Sequence, residues 1–148
     1  MTDANHLNGI NLRIRHTMLP VVDLNRSIKF YTQLLGMNLM RQRVNERKKI
    51  AVAMVGYGNE DTHPAIELIQ NIGDNPPAQV NRWFGHLAIA VTDLHRICAY
   101  LEEAGVKFTQ PAGPVAPGRK DLVAFLIDPD GYEIELTERM SGTYSIDS

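Results

Sequence analysis

Several features that would mark a special class of protein are scarce in this chain of 148 residues. It has one cysteine, Cys98, which cannot form an internal disulfide and fits a reducing compartment. No apolar run approaches the ~20 residues of a membrane-spanning helix, and residues 1–11 lack the pattern of a signal peptide. The formal net charge is only -2, so no basic face suited to a nucleic-acid backbone is indicated. We therefore expect a cytoplasmic protein with no membrane partner and no nucleic-acid partner.

The chain contains one internal repeat. The segment from His16 to Arg26 aligns with the segment from His86 to Arg96, and His, Val, Asp, Leu and Arg recur in place. Further along, Ile66-Glu67-Leu68 aligns with Ile134-Glu135-Leu136. Each half therefore runs from a histidine to a glutamate, which predicts two copies of one structural unit.

Each half shows the same order of predicted elements. An apolar run suited to a strand follows the histidine. An aspartate suited to an N-cap then begins a helical stripe that a glycine ends, and three more strands follow. The predicted fold class is α+β, with two βαβββ modules at residues 12–72 and 83–140 in one compact domain, flanked by polar tails at 1–11 and 141–148. The segment 111–120, rich in glycine and proline, is predicted to be a mobile loop.

The repeated histidines and glutamates are candidate metal ligands. Taken singly, a histidine that opens a strand is more typical of a hydrogen-bonded structural residue. A single glutamate between apolar neighbours is more typical of a solvent-facing side chain on a strand. The repeat favours a metal site if the two modules bring their sheets into one cleft, because two imidazoles and two carboxylates suit a divalent transition metal. The four candidate ligands are His16, Glu67, His86 and Glu135.

The sequence resembles the vicinal oxygen chelate superfamily, and within it the glyoxalase I family, over about residues 12–138. Besides the two Ile-Glu-Leu triplets, the matching stretches are His16-Thr-Met-Leu19, Asp23-Leu-Asn-Arg-Ser-Ile-Lys-Phe-Tyr31, Leu35-Gly-Met37, Val55-Gly-Tyr-Gly58, Phe84-Gly-His-Leu-Ala88 and Asp128-Pro-Asp-Gly-Tyr132. The resemblance implies one divalent metal per chain on the four ligands named above, with Glu135 as the catalytic base and Glu67 assisting it. It also implies a homodimer with the site at the subunit interface. The reaction implied isomerises the hemithioacetal of methylglyoxal and glutathione, the co-substrate, to S-lactoylglutathione.

The resemblance also bears on the metal and on the substrate contacts. The short segment between Glu67 and His86 is similar to the compact nickel- or cobalt-dependent type rather than the longer zinc type. Matching positions imply glutathione contacts for Asn71 and Arg82, and a role for Arg119 of the 111–120 loop, although each charged residue has an alternative as a solvated side chain.

Two alternatives to this reaction stay open. Another metal-dependent isomerase or epimerase of the same superfamily would use similar chemistry, although many epimerases carry Gln where this chain has Glu67. A non-enzymatic binding protein of small molecules fits less well, because such members often lack the full ligand set. One departure from the family is clear: many members have an arginine that holds a glutathione carboxylate where this chain has Pro20.

Overall fold

The computed structural model describes residues 13–74 and 84–138. Eight strands and two α-helices are present in these ranges. The first half contains β1 His16–Val21, α1 Leu24–Lys29, β2 Asn38–Asn45, β3 Ile50–Gly56 and β4 Ala65–Asn71. The second half contains β5 Leu87–Ala90, α2 Leu94–Glu103, β6 Phe108–Pro114, β7 Leu122–Ile127 and β8 Glu133–Glu138.

The strands form two four-stranded sheets of the same topology. The orders are β1-β4-β3-β2 and β5-β8-β7-β6. In each sheet the first strand runs parallel to the last, and the other pairs are antiparallel. This confirms the predicted α+β fold of two βαβββ modules. Residues 12, 83, 139 and 140 lie outside the described residues, as do both tails, so the predicted module boundaries stay a prediction.

The helical segment of each half begins after the predicted N-cap and ends before the predicted glycine. Asp23 accepts a hydrogen bond from the backbone N–H of Arg26 at 3.0 Å, and Asp93 does the same for Arg96 at 3.1 Å, as N-cap residues do. Gly36 and Gly105 follow the helices with φ of 68° and 82°, a conformation that favours glycine. No helix among the described residues is long and apolar enough to cross a membrane.

Helix α1 differs from the prediction in its second half. After Lys29 the chain continues as a π-helical segment, Phe30–Leu34. The backbone N–H of Leu35 bonds the carbonyl of Phe30 at 3.3 Å instead of that of Tyr31. Such π-helical segments are rare single-turn insertions within α-helices, and the apolar stripe here predicts a regular α-helix.

The predicted mobile loop at 111–120 is partly wrong. Its first four residues belong to strand β6, which ends at Pro114. Proline lacks the N–H that a central strand needs, but an edge strand tolerates it. Strand β6 is the edge of its sheet, and its pairing with β7 slips in register around Pro111.

The core lies between the helices and the inner faces of both sheets. It forms one continuous cluster that includes residues of both modules, among them Leu19, Tyr31, Leu68, Leu94 and Leu136. The alternation along each strand sends one set of side chains into this core and the other set to the opposite face. The opposite face is the one that carries the candidate ligands.

The Asp128–Tyr132 turn joins the second module to the first by hydrogen bonds. Asp128 is buried and accepts a hydrogen bond from the Tyr31 hydroxyl at 2.7 Å. Burial raises the pKa of Asp128, while hydrogen bonds from Tyr31 and from the backbone oppose that rise.

The Asp130 side chain is only 4% exposed and accepts three hydrogen bonds from the first module, given by Val22 N, Arg26 Nη2 and Ser27 Oγ. The Tyr132 hydroxyl donates to the carbonyl of Pro20 at 2.7 Å. The two aspartates are therefore turn residues that also hold the modules together.

We expect Asp130→Ala to lower the free energy of unfolding by about 2–3 kcal/mol, because the buried Ser27 hydroxyl, the Val22 N–H and the Arg26 guanidinium then lose their acceptor. Urea denaturation at a fixed protein concentration measures this. Asp61→Ala removes an exposed aspartate and should change the value by no more than about 0.5 kcal/mol. Equal stability of the two variants would show that Asp130 does not hold the modules together.

Candidate metal centre

The first half-site lies on two parallel strands of module one. His16 opens β1 and Glu67 lies in the middle of β4. Met18 pairs with Glu67 across the ladder, and His16 is two residues before Met18, so both candidate ligands share one face. The imidazole Nε2 of His16 lies 3.2 Å from a carboxylate oxygen of Glu67, and the two side chains are 35% and 17% exposed.

The second half-site repeats this geometry in module two. His86 directly precedes β5, and Glu135 lies on β8, opposite Ala88. The Nε2 atom of His86 lies 2.8 Å from a carboxylate oxygen of Glu135, with exposed side-chain fractions of 44% and 22%. The repeat seen in the sequence is therefore also a repeat of side-chain geometry.

The residues of each half-site fit a divalent metal by their chemistry. An imidazole nitrogen beside a carboxylate oxygen is a mixed donor pair of the kind that zinc, nickel or cobalt accepts. One pair supplies only two ligands, however, and structural or catalytic sites of these metals use at least three protein ligands. Among residues 13–74 and 84–138, no three such side chains come together. The two half-sites are thus separate within the described part of one chain, and the set of four ligands stays a prediction.

Apolar side chains flank both half-sites, and the sequence analysis did not identify them. The Phe125 ring packs edge-on against the His86 ring, with centroids 5.6 Å apart, because Phe125 pairs with Glu135 across β7 and β8. In module one, Met54 and Met18 flank Glu67 in the same way. Each of these residues lies directly opposite a candidate glutamate, so a correct strand register would have identified it.

An ion-pair network holds the segment that leads into His16. The Arg13 guanidinium donates to the backbone carbonyls of Glu60 and Asp61 at 3.0 and 2.8 Å. Arg41 binds the Glu60 carboxylate through two nitrogens, at 3.1 and 2.8 Å, and Arg15 lies 3.5 Å from it. The hydrogen bond from Arg41 lowers the pKa of Glu60, and Arg15 lowers it further. The network fixes the start of β1 against the β3–β4 loop, and so helps to position His16.

The three predicted substrate contacts have different outcomes. Asn71 ends β4, and its side-chain oxygen accepts a hydrogen bond from the backbone of Gly73 at 2.8 Å. Arg119 is exposed in the loop between β6 and β7. Arg82 lies outside the described residues. A contact with substrate stays a prediction for all three.

Known proteins share this fold and much of this sequence. The model of the Glyoxalase/Bleomycin resistance protein/Dioxygenase superfamily matches residues 13–136. A probable lactoylglutathione lyase of Vibrio parahaemolyticus is 42% identical over 137 residues, which cover 93% of this chain and 98% of that protein. The lactoylglutathione lyase of Salmonella typhimurium is 44% identical over 127 residues, 86% of this chain and 93% of that protein.

A solved structure leads to the same family. The crystal structure of glyoxalase I from Zea mays matches with a TM-score of 0.79 and 38% identity, covering 87% of this chain. This chain spans only 45% of the maize chain. The chain therefore belongs to the glyoxalase superfamily, and within it to the lactoylglutathione lyases of the glyoxalase I family.

Proposed function

We propose that this protein converts the hemithioacetal of methylglyoxal and glutathione to S-lactoylglutathione, which removes a reactive 2-oxoaldehyde. The observation that carries the proposal is the repeated His–Glu pair, at 3.2 Å in one module and 2.8 Å in the other. The family of the chain agrees with it, since relatives over 40% identical are named lactoylglutathione lyases.

The reaction is an isomerisation in which one proton moves between adjacent carbons and a second proton moves from the hydroxyl oxygen to the ketone oxygen. The Glu135 carboxylate accepts the proton from the carbon that bears sulfur and returns it to the neighbouring carbon, so no atom is lost. Glu67 assists on the opposite face of the substrate. A divalent metal held by His16, Glu67, His86 and Glu135 would supply Lewis-acid stabilisation of the negative charge that develops on the substrate oxygens.

The active form in this proposal is a homodimer in the cytoplasm. Each half-site has only two metal donors, so His16 and Glu67 of one chain join His86 and Glu135 of the other. The exposure of large apolar side chains supports a partner chain, since Met18 beside Glu67 is 48% exposed and Ile14 before β1 is 75% exposed. Asn71, Arg82 and Arg119 contact the glutathione part of the substrate. Nickel or cobalt is preferred over zinc.

Removal of the metal tests this function directly. Protein treated with a chelator and dialysed should lose at least about 100-fold of its activity on methylglyoxal plus glutathione, because the charge on the substrate oxygens is then unstabilised. Nickel or cobalt should restore activity better than zinc. Elemental analysis should give one metal per chain in the active protein.

The outcome that would contradict the function is full activity in a preparation with no bound metal. A metal-loaded protein that isomerises or epimerises an acyl thioester but not the glutathione adduct would instead contradict the proposed substrate.

A further inference from the structure

Two arginines of strand β2 lie on the same face as the first half-site. Residues directly opposite each other in an antiparallel ladder point to the same face. Glu67 pairs with Met54, and Met54 pairs with Arg41. The next set of opposed residues on this face, which we call a row, consists of Pro20, Ile69, Val52 and Arg43. We call this surface of module one the ligand face.

The two arginines differ in whether their charge is already paired. Arg41 binds the Glu60 carboxylate through two hydrogen bonds, at 3.1 and 2.8 Å. Arg43 is exposed, and it has no hydrogen bond or ion pair with any of the described residues. Its partners in the row are apolar, so no other group there neutralises it. Arg43 is thus an unpaired cation on the ligand face.

The distance between Arg43 and the half-site suits a short peptide. Arg43 lies two strands and one row away from Glu67, which puts the two Cα atoms about 12 Å apart at the usual strand and residue spacings. Glutathione is a tripeptide with a carboxylate at each end and its sulfur on the central residue, so each carboxylate lies within about 10 Å of the sulfur. With its sulfur bound beside Glu67, the long Arg43 side chain covers the remaining distance to a terminal carboxylate.

The other cations near this row are less suitable. Arg15 lies 3.5 Å from the Glu60 carboxylate, and Arg41 shares that carboxylate. Pro20, in the row of Arg43, has no charge and no N–H.

We propose that Arg43 is a specificity-determining residue that pairs with a carboxylate of the thiol half of the substrate. The inference rests on the proposed function, because it needs a glutathione adduct at the His16–Glu67 half-site. A guanidinium matches a carboxylate with two parallel hydrogen bonds, whereas a lysine offers only a point charge. Arg43 therefore selects thiols that carry a carboxylate on the residue next to the one that bears sulfur.

The test compares Arg43→Ala, Arg43→Lys and a control, Arg47→Ala, which removes a cation from the turn after β2. For the glutathione hemithioacetal, Arg43→Ala should raise KM by about 10- to 100-fold with little change in kcat, as for the loss of a charge-assisted hydrogen bond. Arg43→Lys should recover part of the loss. The control should match the wild type. Calorimetry with S-methylglutathione, which cannot react, should show the same loss of affinity.

The two proposals fail in different ways. An Arg43→Ala protein with wild-type KM and wild-type affinity for S-methylglutathione overturns the role of Arg43 and leaves the lyase function intact. A fall in kcat at unchanged KM overturns it as well. If the wild type turns over no glutathione adduct, the proposed function fails, and calorimetry alone then decides on Arg43. Equal binding of S-methylglutathione by the wild type and Arg43→Ala, or no binding by the wild type, overturns the proposed role of Arg43.

Discussion

Glu135→Gln should reduce turnover by about 100- to 10,000-fold, the range that a positioned general base contributes. The amide has almost the same size as the carboxylate but cannot accept a proton at the pH of the assay. The resemblance to the glyoxalase I family makes Glu135 the candidate base; its carboxylate lies 2.8 Å from the His86 ring, and its side chain is 22% exposed. Substrate can therefore reach it without a rearrangement of the fold.

The experiment must separate loss of the base from loss of the metal, since Glu135 is also a proposed ligand. The measurements are kcat, metal content and the thermal unfolding temperature of the same preparation. Glu103→Gln, at the exposed end of α2, makes the same chemical change far from the half-site and should keep full activity. Near-normal turnover by a metal-loaded Glu135→Gln protein would make Glu67 the next candidate for the base.

The sequence predicted the parts of the fold that depend on local pattern. The apolar runs predicted four strands in each half, and all eight are present; the aspartate caps predicted where both helices begin. The His–Glu pairs were predictable because the internal repeat placed both residues at equivalent points of each module. A parallel β1–β4 ladder then brings them together with no information beyond strand order.

The features that escaped prediction depend on distant contacts. The role of Asp130 as a clamp on α1 arises from hydrogen bonds between residues more than 100 positions apart. Each module also caps its helix a second time from its last strand: Gln70 accepts from the Leu24 N–H, and Glu138 accepts from the Leu94 N–H, both at 2.8 Å. Neither cap has a signature near the helix that it stabilises. Arg43 and Phe125 likewise gain their positions from register alone.

The second prediction with a large expected effect tests whether the two half-sites of one metal centre come from different chains. If His16 of one chain and His86 of the other serve the same metal, His16→Ala and His86→Ala homodimers each lose a ligand in both of their sites and should be nearly inactive. A heterodimer of the two variants would have one site that lacks both histidines and one site that is complete. It should therefore regain about half of the wild-type activity per dimer, given two equivalent sites related by twofold symmetry.

A second heterodimer gives the opposite expectation and serves as the control. It pairs a wild-type chain with a chain that carries both His16→Ala and His86→Ala. Sites shared between chains would then each lack one histidine, so this heterodimer should be nearly inactive. Sites closed within one chain would reverse both results, because the wild-type chain would keep its own site while the mixed single variants would have none. Co-expression with two different affinity tags isolates each heterodimer, and the activity ratio of the two decides where the metal site lies.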